Sequence, residues 1–463
     1  MSHASVRGLD AAFLHLENAS SPMSVVTVIW IDDSGTVAFT ADTVRDLVER
    51  MASHTPEEFR RPQPGPRGRG LVWQPVVVDP DQHVRSVVAP PGAGVDFVHR
   101  IAAESSGRPL DRERPLFRCD VITGIHGPDG STVAVIATFH HARNDGLGAL
   151  GGLARLAGLT GTRAHTVADD APAPPTTSVI SRIPAALATL GRIGRATRRR
   201  RQRLRTGRRI PIDPWKTPRL PISRSISDAR EVGTLDLPLD ELMEIRRAFG
   251  TTFNDVFLGI VTGGLRSWLG PDCPDGPVVA LVPVSVRDGS AVSTNLLSGY
   301  FAGLPVHLAD VEERVRDVAA EMEAVKERHD DLGRAGLDGL LDVIPWRLVG
   351  HRFGRYCEGG RADSGRLVAN LLATSLRGPG TTFALGGARV VAIDPFAPIF
   401  DGITVNVTGL SFAGRFRIGI TGAPGVGSGL AALVVALTEA HAELLAVARR
   451  LPPPGPAPVP GPA

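Results

Sequence analysis

The stretch Phe139-His140-His141-Ala142-Arg143-Asn144-Asp145-Gly146 carries two adjacent histidines, with Asp145 and Gly146 four and five residues after the second, the pattern HHxxxDG. A free imidazole titrates near a pH of about 6.5, so one such group can take a proton near neutral pH as a general base. His141 is the candidate for that general base. His140 is the second candidate in the motif and fits equally well as a group packed beneath the loop. Asp145 lies too close in sequence to be read at once as a relay partner, and its carboxylate can instead pin the loop through a salt bridge. Gly146 permits the tight backbone that follows. Two neighbouring histidines in a chain with 13 of them also fit a satisfied loop pair or half of a metal site.

These residues need an element to hold them. The run Thr132-Val133-Ala134-Val135-Ile136-Ala137-Thr138 is apolar and β-branched, so it reads as a strand that delivers the histidines at its tip, where a loop meets substrate. Residues 1 to 172 alternate strand-like runs (Val25–Ile31, Leu71–Val78, Thr132–Phe139) with helical ones (Ala41–Met51, Val98–Ser105, Gly148–Leu156), the pattern of a mixed α/β or α+β layer structure. Residues 173 to 213 form a join, a Pro-rich linker followed by an apolar-then-basic segment from Val179 to Arg209. Alternation resumes over residues 214 to 450, with helices at Asp240–Phe249, Asn254–Leu269, Val311–His329 and Gly429–Ala448. Strands are expected there at Val278–Val284, Leu367–Ala373, Ala388–Ile393, Ile403–Ser411 and Arg415–Thr421. The Pro-rich stretch 451–463 reads as a disordered tail.

Composition narrows the class. Hydrophobic residues make up 43% of the 463 and charged residues 21%, enough apolar material for a large core. Cys119, Cys273 and Cys357 are odd in number and far apart, so neither a disulfide framework nor a CxxC metal site is suggested, and a reducing compartment fits. No basic-then-apolar leader opens the chain, and no uninterrupted apolar run approaches the roughly 18 residues of a spanning helix.

Further motifs accompany the histidines in a fixed order. Gly8-Leu9-Asp10-Ala11-Ala12-Phe13-Leu14-His15-Leu16-Glu17 precedes Ser21-Pro22-Met23, and Arg108 to Phe117 reads RPLDRERPLF. Thr252-Phe253-Asn254-Asp255-Val256 opens a helix, and Val282-Pro283-Val284-Ser285-Val286-Arg287 ends a strand. Together with HHxxxDG this series resembles the bacterial wax ester synthase/diacylglycerol acyltransferase family, the second segment matching its PLDRxRPLW signature with Phe117 in place of Trp. The resemblance implies two chloramphenicol-acetyltransferase-like halves with the active site in a tunnel between them. It implies acyl-CoA as co-substrate with no further cofactor and no metal, and diacylglycerol or a long-chain alcohol as acceptor. It also places the Asn254 and Asp255 pair near the catalytic histidine as a substrate contact, although helix capping explains both equally well. By the same resemblance Asp145 orients the loop through a distant arginine, for which Arg287 is a candidate.

With acyl transfer in view, the residues favour a direct mechanism. A thioester carbonyl is electrophilic enough for an alcohol to attack once a base removes its proton. No Gly-x-Ser-x-Gly elbow or Cys/His signature is present to form an acyl-enzyme. Three departures bear on the substrate. Thr374-Ser375-Leu376-Arg377-Gly378-Pro379 stands where the family has Ser-Asn-Val-Pro-Gly-Pro, so Arg377 is placed to alter the tunnel wall; Ser24 replaces a frequent His, and Gly422-Ala423-Pro424 lacks an acidic residue.

In the join, Ile180, Ile183, Leu187, Leu190 and Ile193 form an apolar stripe that Pro184 interrupts, and Arg195, Arg198, Arg199, Arg200, Arg201, Arg203 and Arg205 form a cationic end. An anionic membrane or lipid-droplet surface fits such a segment, and so does a crossover helix packed on the protein. Nucleic acid fits worst, because no aromatic residue interrupts the basic run to stack a base. Three functions follow: a cytoplasmic, peripherally bound acyltransferase making triacylglycerol or wax ester, a transferase using a carrier-protein thioester in natural-product assembly, or a catalytically silent lipid-binding relative.

Overall fold

The computed structural model describes residues 4–6, 8–35, 38–56, 59–65, 71–143, 191, 194–195, 198–199, 202–213, 216–283, 299–332, 363 and 367–452. Asp145, Gly146, Arg287, the helix expected at 148–156, most of the join and the tail from 453 lie outside the described residues. In chain order the first half runs β1 (Ala4–Ser5), α1 (Gly8–Leu16), β2 (Ser24–Asp32), α2 (Ala41–His54), β3 (Arg60–Pro64), β4 (Leu71–Pro75), β5 (Val84–Val88), α3 (Val95–Gly107), β6 (Phe117–Thr123) and β7 (Val133–His140). The second half runs β8 (Glu231–Pro238), α4 (Leu239–Phe249), α5 (Phe253–Leu269), β9 (Val278–Pro283), β10 (Gly299–Leu304) and α6 (Val311–Leu332). It continues with β11 (Leu371–Arg377), β12 (Phe383–Leu385), β13 (Ala388–Phe396), β14 (Val405–Phe412), β15 (Arg415–Gly422) and α7 (Leu430–Ala448).

Two mixed six-stranded sheets carry the halves, in the orders β12-β13-β2-β7-β6-β5 and β10-β9-β11-β14-β15-β8. In the first, β2 and β7 are apolar almost throughout because helices cover both faces of their sheet. Val44, Leu47 and Val48 of α2 pack on one face, and Val98, Ile101 and Ala102 of α3 on the other. The sequence boundary at residue 214 does not anticipate one exchange: β12 and β13, from the second half, complete the first sheet by pairing β13 with β2. The sheets then meet where Gly419 of β15 faces β13, since a Cβ at 419 would lie 1.7 Å from the Pro395 carbonyl oxygen.

The second sheet is covered by α5 and α7. Gly264 lets them close, because a Cβ there would stand 2.5 Å from Leu437 Cδ2. Helix α7, 19 residues long, is long and apolar enough by length and composition to cross a membrane, although Thr438, Glu439, His441 and Glu443 interrupt its apolar run. Leu433, Leu437 and Leu444 on its inner face are fully buried in the second core, which accounts for its apolar character.

Candidate active site

Strand β7 lies between β2 and β6 and ends at the histidines. Ser24 of β2 pairs opposite His140, so the residue that replaces the family's frequent His sits across the strand from the motif, fully buried, its hydroxyl donating to the Pro22 carbonyl at 3.3 Å. The His140 amide donates to the Leu116 carbonyl at 3.1 Å and the His141 amide to the Met23 carbonyl at 2.8 Å. The strand tip is therefore tied to two other sequence motifs, Ser21-Pro22-Met23 and Arg108–Phe117. Met23 has φ +51°, a left-handed conformation uncommon for a residue with a side chain. The Arg143 amide closes a turn onto the His140 carbonyl at 2.9 Å, and its guanidinium lies 4.9 Å over the Trp73 ring.

The two histidines occupy different surroundings. His141 is half-buried, its ring stacked on Phe13 of α1 with centroids 4.2 Å apart and planes 19° apart. The His140 side chain is fully buried. Its Nδ1 accepts a hydrogen bond from the Ala142 amide at 3.0 Å, and its Nε2 lies 3.6 Å from Glu17 Oε2. That second approach is longer than a direct hydrogen bond, and its attraction is electrostatic. Glu17 accepts from Arg112 Nε at 2.7 Å and also from its terminal nitrogen, and Arg112 donates in addition to the Leu14 carbonyl. Burial alone would raise the Glu17 pKa, but the adjoining His140 ring and the Arg112 guanidinium more than offset it and hold the carboxyl below its usual range. Phe13, Leu14, Met23, Leu110, Leu116 and Ala142 form the apolar floor.

Glu17 and Arg112 were not singled out by the sequence reading. Each lies inside a recognised motif; Glu17 is a charge at the end of a largely apolar stretch, whereas Arg112 has charged neighbours on both sides and no signal of its own. The Arg108–Phe117 segment, read as a rigid turn, thus also contributes a guanidinium to the support of the histidines.

The second group of predicted residues stands at the start of α5. Thr252 caps the helix, and Asp255 completes a reciprocal capping box: Asp255 Oδ2 accepts from the Thr252 amide at 2.9 Å, while the Asp255 amide donates to Thr252 Oγ1 at 3.3 Å. Its carboxylate is turned back on its own helix. Asn254 is half-buried and reaches across to β11, where its Oδ1 accepts from Ser375 Oγ at 3.0 Å. Ser375 belongs to the altered segment Thr374–Pro379. Arg377, expected to alter the tunnel wall, is exposed at the end of β11. Phe400 packs against both the histidine floor and the cluster of Val279, Ala369, Leu372 and Ile403 beside β9 and β11. Phe400 thus links these two apolar clusters. Among the described residues no set of three or more His, Cys, Asp or Glu side chains is grouped to hold a metal ion.

Comparison with known proteins identifies the family. Residues 6–257 match the model of the wax ester synthase/diacylglycerol acyltransferase catalytic domain, and residues 293–445 match that of the WS/DGAT C-terminal domain. A Mycobacterium tuberculosis protein provisionally named a diacylglycerol O-acyltransferase is 29% identical over 469 residues, covering 96% of this chain and 97% of its own. The O-acyltransferase WSD of Acinetobacter baylyi is 24% identical over 443 residues, 89% of this chain and 90% of that protein. Among solved structures, the wax ester synthase/diacylglycerol acyltransferase of Marinobacter aquaeolei VT8 superposes with a TM-score of 0.66 at 18% identity, covering 96% of this chain and 99% of that one. The first condensation domain of the calcium-dependent antibiotic synthetase gives a TM-score of 0.58 at 17% identity, over 96% of this chain and 97% of that one. Both likenesses are of fold, two chloramphenicol-acetyltransferase-like halves each built on a mixed sheet. Matched in order by the family's two domain models, this chain belongs to the wax ester synthase/diacylglycerol acyltransferase family and is an O-acyltransferase of that type.

Proposed function

We propose that this acyltransferase moves the acyl group of a long-chain acyl-CoA directly to a lipid alcohol, diacylglycerol or a long-chain fatty alcohol, giving triacylglycerol or wax ester. The observation that carries the reading is the placement of His141: a half-buried imidazole at the tip of β7, its backbone fixed on Met23 and its ring on Phe13. As the alcohol oxygen bonds to the thioester carbonyl carbon, its proton passes to the imidazole; the C–S bond then breaks, and the imidazolium returns the proton to the departing sulfur. The products are an ester and CoA thiol, and the atoms balance without a further cofactor. Asn254, its Oδ1 accepting from Ser375, is left with amide N–H donors to offer a substrate oxygen. A donor aimed at the developing oxyanion contributes roughly 3 to 4 kcal/mol in favourable sites.

The same proposal puts the enzyme on the cytoplasmic face of an anionic membrane or lipid inclusion, reached through the basic join. Arg195, Arg198 and Arg199 are exposed, and Leu204 is 58% exposed beside them, which supports this placement. Incubating purified protein with labelled palmitoyl-CoA and separate pools of diacylglycerol, long-chain alcohol and sterol, followed by lipid chromatography, tests the reaction. Ester in the first two pools is the expected result. Acyl-CoA binding without ester in any pool would instead make the chain a silent lipid-binding relative.

A further inference from the structure

One charged group beside the reactive motif has no part in the chemistry above. Glu17, at the end of α1, and Arg112 form an ion pair against the fully buried His140, and nothing in the proton transfer assigned to His141 requires either. The His140 contacts nevertheless distinguish its two ring nitrogens. A backbone N–H can only donate, so the 3.0 Å bond from the Ala142 amide requires a lone pair on His140 Nδ1. In the neutral ring the proton then resides on Nε2, the nitrogen that faces Glu17 Oε2 at 3.6 Å. A doubly protonated ring would lose the Ala142 bond, and the opposite tautomer would lose it and also turn a lone pair toward a carboxylate. The Ala142 amide is the next backbone group after His141, so the bond it makes sets the turn on which the reactive imidazole stands.

We propose that Glu17 is a positioning residue of the acyl-transfer reaction: held by Arg112, its carboxylate keeps His140 in the Nε2–H tautomer, which leaves Nδ1 to accept from Ala142 and so fixes the turn that presents His141. Glu17 acts through His140 and touches no reacting atom. Its contribution is orientation, where a displacement of about 1 Å can cost about 10²-fold in rate. The inference rests on the reading of His141 as the base, and its test separates the two.

Nitrogen NMR of histidine-labelled wild-type protein reads the tautomer of the buried ring directly, without a substitution and without turnover. An Nε2–H signal for His140, assigned by its absence in H140Q, is the expected result; a proton on Nδ1 overturns the proposal. Glu17→Leu removes the acceptor, and Glu17→Gln keeps an amide oxygen in its place. The leucine variant is expected to lose about 10²-fold in kcat with little change in KM for acyl-CoA and a mixed His140 tautomer, and the glutamine variant to recover most of both. A folded leucine variant with wild-type kcat overturns the proposal; if that variant fails to fold, a glutamine variant that retains the Nε2–H tautomer yet is as inactive as H141A does the same. Full activity in H141A would refute the base assignment while the tautomer measurement still stood.

Discussion

The two neighbouring histidines stand in different surroundings. Because the Ala142 amide occupies His140 Nδ1 and a carboxylate faces Nε2, His140 is committed to the fold, whereas His141 keeps its ring half-buried against Phe13. His141→Ala is therefore expected to reduce kcat by at least about 10² to 10⁴-fold, the range for a positioned general base, with melting temperature and acyl-CoA binding nearly unchanged. His140→Ala should lose activity and stability together, since it strands Glu17 and empties a buried site. Thermal melts run beside single-turnover assays check both. A His141→Ala protein retaining more than about a tenth of wild-type turnover would place the base elsewhere.

Helix α5 presents two adjacent polar residues, Asn254 and Asp255, to different neighbours because successive residues on a helix point about a quarter-turn apart. Asp255 closes the capping box with Thr252, and Asn254 meets Ser375. Asp255→Ala is expected to cost about 0.5 to 2 kcal/mol of stability, the range for a lost cap, with activity falling only as the helix start loosens. Asn254→Ala should lower kcat while denaturant midpoints stay within experimental error. Chemical denaturation and initial-rate kinetics on the two variants distinguish them, and the reverse pattern would exchange the roles.

Across the molecule, the halves are joined by a buried polar network. Asp394 of β13 is fully buried, accepts from Trp30 Nε1 at 2.6 Å and pairs with Arg417 of β15, which also reaches Asp236 of β8 at 3.1 Å. Burial would raise the Asp394 pKa, but the Arg417 charge together with the approach of His99 and the hydrogen bonds from Arg417 and Trp30 more than offsets it and holds the carboxyl low. A carboxyl with a depressed folded pKa contributes stability that is full above its unfolded value, about 3.9, and is lost as pH falls through the folded one. Asp394→Asn is thus expected to cost about 3 to 5 kcal/mol at pH 7, by leaving Arg417 short of a countercharge, and to flatten the loss of stability below about pH 4. Urea titrations at pH 7 and below pH 4 measure both effects. Two arginines at the end of the basic join are tied to the second half. Arg208 pairs with Glu327 at 3.1 Å, and Arg209 pairs with Asp317 and Glu321, all three acids on α6. On the proposed membrane role, replacing Arg198 to Arg201 by Ser should weaken sedimentation with anionic liposomes, an effect that salt erases as the Debye length contracts to about 3 Å at 1 M. Replacing Arg208 and Arg209 should lower stability and leave liposome binding largely intact. Equal liposome binding by the Arg198-to-Arg201 variant and wild type would return the join to a crossover segment.

The HHxxxDG motif and the family were legible without coordinates because the motif is local: two histidines at the end of an apolar run need only strand periodicity and side-chain chemistry to be read. The long elements were legible for the same reason, since β2, β7, α5 and α7 carry their burial pattern in consecutive residues. Short or charged strands such as β3 and β5 were not, because a five-residue edge strand interrupted by arginine has no apolar run to mark it. The exchange of β12 and β13 into the first sheet was hidden for another reason: pairing between Asp32 and Arg389 joins residues more than half the chain apart, and no periodicity encodes a partner. The support of the histidines depends on the same kind of distance. Glu17, Arg112 and His140 lie in three separate motifs, each readable alone as helix end, turn and strand tip, and only the folded chain brings their charges and lone pairs within reach of one another.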